Sequence, residues 1–243
     1  MKTLYESIFD VDNNIDNVDE SIKDQIKRFL KDNFDGTSSC KISDKPNKDG
    51  KYEVSNNSKD IKVKNEKITS LTNGLFIWTN VGGNFDCSYC KSLTSLEGAP
   101  KKVGADFYCY YCDSLTSLEG APKEVKGYFD CNDCGSLISL KGSPEKVGWG
   151  FNCSECKLLT SLEGAPEKVG EFFDCSDCDS LTSLKGAPEE VNGSFYCSRC
   201  ASLTSLKGAP EKVGGKFDCR ACLGAFTTDD VKKISNVKGM ITV

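Results

Sequence analysis

Phenylalanine recurs every 22 residues through more than half of this chain, at Phe85, Phe107, Phe129, Phe151, Phe173, Phe195 and Phe217. A cysteine follows each of them two residues later and another five residues later. The pairs are Cys87/Cys90, Cys109/Cys112, Cys131/Cys134, Cys153/Cys156, Cys175/Cys178, Cys197/Cys200 and Cys219/Cys222. Six of the seven prolines share one slot, at Pro100, Pro122, Pro144, Pro166, Pro188 and Pro210. One unit reads FDCSYCKSLTSLEGAPKKVGAD, from Phe85 to Asp106. A period of this length marks an array in which no unit buries its own core and each neighbour supplies the missing side.

The unit's internal pattern assigns its parts. Phe85 and Cys87 flank the polar Asp86, the alternation of a short strand. Leu93 and Leu96 point inward from a turning segment, and Gly98, Pro100 and Gly104 break any helix that would follow. Repeats built from helix pairs are therefore excluded. The pattern predicts one strand per coil, closed by loops, with coils about 4.8 Å apart and a seven-strand parallel sheet of roughly 30 Å.

The ends need caps. Ile15, Val18, Ile22, Ile26, Phe29 and Leu30 mark one face of a helix over 17–34, with Asp19 and Glu20 early and Lys27, Arg28 and Lys31 late, as the helix dipole favours. Residues 43–60 read as a loop-rich connector. Residues 61–74 read as a degenerate coil, with Ile61 and Val63 as its strand. The apolar Leu75-Phe76-Ile77-Trp78 then seals the first regular coil. At the far end Thr227 or Thr228 caps a short helix carrying Val231 and Ile234, and Gly239 stops it before a last strand, Met240 to Val243. The expected organisation is an N-terminal helix and loop segment at 1–60, a capping repeat at 61–84, the array at 85–222 and a C-terminal cap at 223–243.

The string Phe-x-Cys-x-x-Cys-x-x-Leu-x-x-Leu resembles the cysteine-containing form of the leucine-rich repeat. The Leu-Thr-Ser-Leu segment followed by proline is similar to the short repeats of bacterial leucine-rich effectors and of bacterial and phage proteins. This resemblance implies a repeat solenoid, mostly β, of leucine-rich-repeat-like parallel coils with a small α+β cap before it and a short cap after it. It also implies a bacterial or phage source. Two features depart from the motif. Cys87 and its equivalents take a strand slot usually held by leucine. Val81, Val103 and the later valines precede Phe by four residues instead of three.

No histidine is present, which removes every histidine relay and every mixed Cys/His zinc site. The chain has no apolar run long enough to span a bilayer. Acidic residues interrupt Met1 to Val11, so no signal peptide is expected there and a cytoplasmic location is. A net charge of -5 argues against a nucleic-acid partner. The 15 cysteines leave three readings. Consecutive Cys-x-x-Cys pairs have zinc-ribbon spacing, but seven pairs do not divide into whole four-cysteine sites. Disulfides between neighbouring coils are within reach, though an odd total in a chain without a leader speaks against them. The expectation is that both columns are buried thiols with structural roles, and that no metal or cofactor is bound.

Residues between the inward positions are expected to face solvent on the sheet. One column holds Asp86, Tyr108, Asp130, Asn152, Asp174, Tyr196 and Asp218. A second holds Ser88, Tyr110, Asn132, Ser154, Ser176, Ser198 and Arg220. A third holds Tyr89, Tyr111, Asp133, Glu155, Asp177, Arg199 and Ala221, and the residue before Phe adds Asp106, Tyr128 and Phe172. Six of the eight tyrosines lie in these columns. Rigid aromatic side chains beside carboxylates suit recognition of a protein segment of basic character, although cross-strand stacking and solvation also account for them. The candidate binding residues are Asp86, Tyr89, Asp106, Tyr108, Tyr110, Tyr111, Tyr128, Asp130, Asp133, Asp174, Asp177, Tyr196, Arg199 and Asp218. The expected function is a non-enzymatic protein-binding scaffold, since carboxylates recurring as a column single out no catalytic pair. The alternative is an array of zinc-stabilised four-cysteine modules with a structural or regulatory role.

Overall fold

The computed structural model describes residues 15–243, with side chains described from residue 21 onward. The reading of Met1 to Val11, and of the side chains of Ile15, Val18, Asp19 and Glu20, falls outside what is described.

The chain is a parallel β-solenoid. Its strands form two ten-stranded sheets. The first runs through Phe85–Asp86, Phe107–Tyr108, Phe129–Asp130, Phe151–Asn152, Phe172–Asp174, Ser194–Tyr196 and Phe217–Asp218. Phenylalanine pairs with phenylalanine at every step, as in Phe107↔Phe129↔Phe151. The register is thus the repeat period itself. The second sheet corrects the expectation of one strand per coil. It is built from Lys102–Val103, Glu124–Val125, Lys146–Val147, Lys168–Val169, Glu190–Val191 and Lys212–Val213, again in parallel register. Each has only two residues, one out and one in, too short to show an alternation in sequence. The glycine after the valine makes the corner between the sheets. A Cβ on Gly148 would lie 2.0 Å from the Lys126 carbonyl oxygen of the preceding coil.

The core is a set of stacked columns. Consecutive phenylalanine rings from Phe85 to Phe195 lie 5.2–5.7 Å apart and within 9° of parallel. The in-register backbone forces this offset stack, and each ring is fully buried. Both leucines and both cysteines of each coil from Phe85 to Cys200 also face inward. Full burial of one such ring contributes about 2–3 kcal/mol, so the Phe column alone is a large part of the driving force.

Helix α1, Ile15–Asn33, covers the first end. Its Ile26 and Leu30 are buried, and Phe29 packs edge-on against Phe76 at 5.9 Å. Phe34 meets Trp78 at 5.6 Å and Phe85 at 6.3 Å, which closes the Phe column. Two expectations change here. Phe76–Val81 is a strand of the second sheet, in line with the coils, and not an inserted plug. The supposed connector 43–60 contains a further strand of that sheet, Tyr52–Asn56, parallel to it. Among the described residues only Phe34–Asp35 and Lys41–Ile42 join antiparallel, one at the N-terminal edge of each sheet. At the other end helix α2, Thr228–Ile234, begins with a reciprocal cap between Thr227 and Asp230. Two strands follow it, Asn236–Val237 and Ile241–Thr242, which extend both sheets.

Candidate interaction face

The first sheet's outer side carries the candidate residues, but the strand ends earlier than the sequence implies. The strand ends one residue after the Phe, and a turn follows within two residues. The first column then has a structural task. Asp86, Asp130, Asn152, Asp174 and Asp218 each accept the backbone N–H two residues on, at 2.8–3.2 Å. These are Asx turns, a local use that suits Asp and Asn alike. The column is half-buried except at Asp218, which is 2% exposed and corrects the expectation of a solvent-facing group.

The second column also departs from expectation: Ser88, Ser176 and Ser198 are buried, and Ser198 donates to Ser176 at 3.2 Å. Tyr110 stays half-buried at the surface. The third column is not in the strand. Tyr89, Tyr111, Asp133, Glu155, Asp177 and Arg199 have φ of 52–61°, the left-handed region that side chains other than glycine usually avoid. The geometry is fixed from outside. Each N–H donates to a carbonyl of the next coil, as Glu155 does to Ser176 at 2.9 Å. Side chains in this column are therefore held on rigid, over-determined turns.

Two aromatic groups result. Tyr89 and Tyr111 stack at 5.1 Å and 3°. Tyr110 sits edge-on to both, at 5.3 and 6.0 Å, and meets Tyr108 at 6.0 Å. Tyr108 donates its hydroxyl to Asp106 at 2.8 Å, and Asp106 also accepts the Tyr128 N–H. Burial, with Asp106 beside it, raises the Tyr108 hydroxyl pKa. Tyr128 opens the second group, with Trp149 edge-on at 5.2 Å and Phe172 tilted at 5.6 Å. Trp149 was not anticipated. It is half-exposed and occupies a slot that is glycine at 83, 127, 193 and 215. Phe172 leans over Gly150, where a Cβ would come within 2.4 Å of its ring. Tyr196 lies farther along, half-buried beside the Asp174 and Asp218 strands.

Charge is compensated at both ends of this face. Lys62 reaches Asp86 at 3.2 Å, and Arg199 grips Asp177 with two nitrogens at 2.7–3.2 Å. Lys216 and Arg220 converge on Asp218, each at 2.8 Å. Burial pushes the Asp218 carboxyl up, but hydrogen bonds from Arg220 and Lys216 outweigh it and hold the group down at about 2. The middle differs. Burial raises the pKa of Asp130 and Asp174 from the ordinary aspartate value, against the turn hydrogen bonds that each accepts. Among the described residues no basic side chain pairs with Asp130, Asp133, Glu155 or Asp174.

The thiols lie beneath this face. All 15 cysteines are free. From the coil of Phe107 onward the second cysteine donates its Sγ–H to the carbonyl of the first cysteine one coil back, for example Cys112 to Cys87, Cys134 to Cys109, Cys156 to Cys131 and Cys178 to Cys153, at 3.2–3.3 Å. The first cysteine points the other way, as Cys131 does to Asn152 and Cys153 to Asp174. Desolvation pushes the Cys109, Cys131 and Cys153 thiols well up, which keeps them protonated. Zinc would need thiolates converging on one point, and among the described residues no three potential ligands do so. The thiols as arranged do not fit a four-cysteine site.

No family model matches the chain, and neither a curated protein nor a solved structure is significantly similar to it. Among the described residues no helix is long and apolar enough to cross a membrane.

Proposed function

We propose that the protein is a non-enzymatic binding scaffold, leucine-rich-repeat-like in its coil plan, that takes a protein segment on the outer side of its first sheet. The observation that carries this reading is the tyrosine group. Tyr89 and Tyr111, 46% and 39% exposed, sit on fixed left-handed turns and leave ring surface open. Rigid, amphipathic rings give contact area with little loss of side-chain entropy. The carboxylates beside them serve backbone turns as a column, so they supply polar rim contacts instead of a general acid and base.

A random peptide-display selection on the intact protein tests the reading, with counter-selection on the variant Tyr108→Ala/Tyr110→Ala/Tyr111→Ala. The expected outcome is enriched peptides that bind the protein and lose the variant, while the variant keeps the parent's far-ultraviolet circular dichroism. Enriched peptides that bind both equally, or no enrichment, would overturn it.

A further inference from the structure

The charges of this solenoid mostly neutralise themselves from coil to coil. On the second sheet Lys102 meets Glu124 and Lys168 meets Glu190, at 3.0 and 3.4 Å. At the turn after the leucines Lys141 meets Glu119 and Lys185 meets Glu163, at 2.8 and 2.6 Å. The first sheet does the same at its two ends, through Lys62 and through Arg199, Lys216 and Arg220. Across the coils of Phe129, Phe151 and Phe173 the pairing on this sheet is partial, with Arg199 taking Asp177. Asp130, Asp174 and Glu155 form no ion pair among the described residues, although Arg199 acts on Asp174 and Lys157 on Glu155 from a distance, and along one side of them run the rings of Tyr128, Trp149 and Phe172. This is the stretch of the face where the partner must bring the positive charge.

Spacing says what form that charge takes. Asp130 and Asp174 occupy one column two coils apart, with Asn152 between them. Two coil steps are about 9.6 Å at the usual strand separation. In a polyproline-II segment the same side recurs every three residues, about 9.3 Å on. A β-strand returns to the same side after about 6.7 Å, which falls between the two carboxylates. The half-exposed Trp149 and its neighbours supply the flat aromatic surface on which proline rings and guanidinium groups stack. We propose that the middle of this face docks a cationic polyproline-II segment with basic residues three apart, lying along the solenoid axis across the coils of Phe129, Phe151 and Phe173. This deepens the scaffold reading and rests on it.

The test uses acetyl-Pro-Arg-Pro-Pro-Arg-Pro-Pro-amide, titrated into the full chain at low salt. Fluorescence reports the site, since Trp149 is half-exposed and Trp78 is 1% exposed in the core. The expected result is a change in Trp149 emission that disappears in Trp149→Phe. Affinity should be about tenfold above that for a peptide with its arginines two apart, the scale of one charge-assisted hydrogen bond. The double variant Asp130→Asn/Asp174→Asn should weaken binding by at least about tenfold on the same scale. It should also keep its fold, because Asn152 already makes the same turn in the same column. Glu190→Gln, on the second sheet beside Lys168, should bind as the parent does. Equal affinity for both arginine spacings, or unchanged binding by the double variant, would overturn the proposal. If display peptides bind through the tyrosines while the arginine peptide does not bind, this inference falls and the scaffold reading stands. If neither binds, both fall.

Discussion

Cys153 and Cys156 are both fully buried and belong to the same coil, yet truncating them should have unequal effects. The Cys153 thiol donates to the Asp174 carbonyl at 3.4 Å, but that oxygen already accepts the Cys153 N–H at 2.8 Å. Cys153→Ala therefore removes a redundant donor and leaves a sulfur-sized void, a cost of about 1–1.5 kcal/mol. The Cys156 thiol donates to the Cys131 carbonyl at 3.3 Å. Among the described residues no backbone N–H donates to that oxygen. Cys156→Ala thus adds an unpaired buried carbonyl, about 1–3 kcal/mol, to the same void, for a total of about 2–4 kcal/mol. Serine at 156 restores a donor and should recover a good part of the difference, whereas serine at 153 should do no better than alanine. Urea unfolding with reductant present measures all four variants. Hydrogen exchange of the coil from Phe151 serves as a second readout, because repeat arrays do not always unfold in one step. Alanine variants within about 0.5 kcal/mol of each other, or serine at 156 as harmful as alanine, would refute the assignment of these thiols as donors to otherwise unpaired carbonyls.

Three further outcomes are expected. Gly142 has φ 89°, and a Cβ there would lie 2.6 Å from the Glu119 Cα, so Gly142→Ala should cost about 3 kcal/mol or more in thermal or urea unfolding. Asp218 is held at about 2 in the folded chain against about 3.9 unfolded, so its contribution is present above pH ~4 and is lost as the pH falls toward ~2. Acid titration of C-terminal stability should show this step, on the order of 1–2 kcal/mol, and Asp218→Asn should lack it. Cys222 sits half-exposed at the open end of the thiol column, where the neighbouring Cys200 thiol lowers its pKa from the ordinary thiol value against its own burial. A thiol reagent at pH ~8 should label it first and the inner cysteines only on unfolding, and Cys222→Ser should remove that fast phase.

What was legible in the sequence follows the periodicity of the core. Phe85 to Phe217 could be read as one column because stacking in register tolerates no drift, and a ring displaced by one residue would face outward. The sequence left the cap open between Thr227 and Thr228, and the reciprocal hydrogen-bond pair with Asp230 decides for Thr227. The second sheet escaped notice because Lys146–Val147 gives one outward and one inward residue, which any loop also provides. The left-handed column escaped for the opposite reason. Tyr111, Glu155 and Arg199 are residues that local propensity keeps out of that region, and only the carbonyl of the following coil holds them there.

The same contrast separates scaffold from site. A slot that repeats in every coil answers to the coil itself: Asp130 shares its column with Asp86, Asp174 and Asp218 because the next turn needs an acceptor. Such a column reads as a recognition surface in sequence and proves to be half structural. A slot filled differently in one coil answers to something else. Trp149 fills a slot that is glycine in four other coils, and it is half-exposed with its ring edge-on to Tyr128. Phe172 covers Gly150, in a column that supplies polar acceptors at Asn84, Asp106 and Ser194. These substitutions leave the Phe stack undisturbed at 5.2–5.3 Å beneath them. They place aromatic surface next to the carboxylates that lack an internal cation. On the proposed scaffold reading, such local departures are where an outside partner would meet the surface.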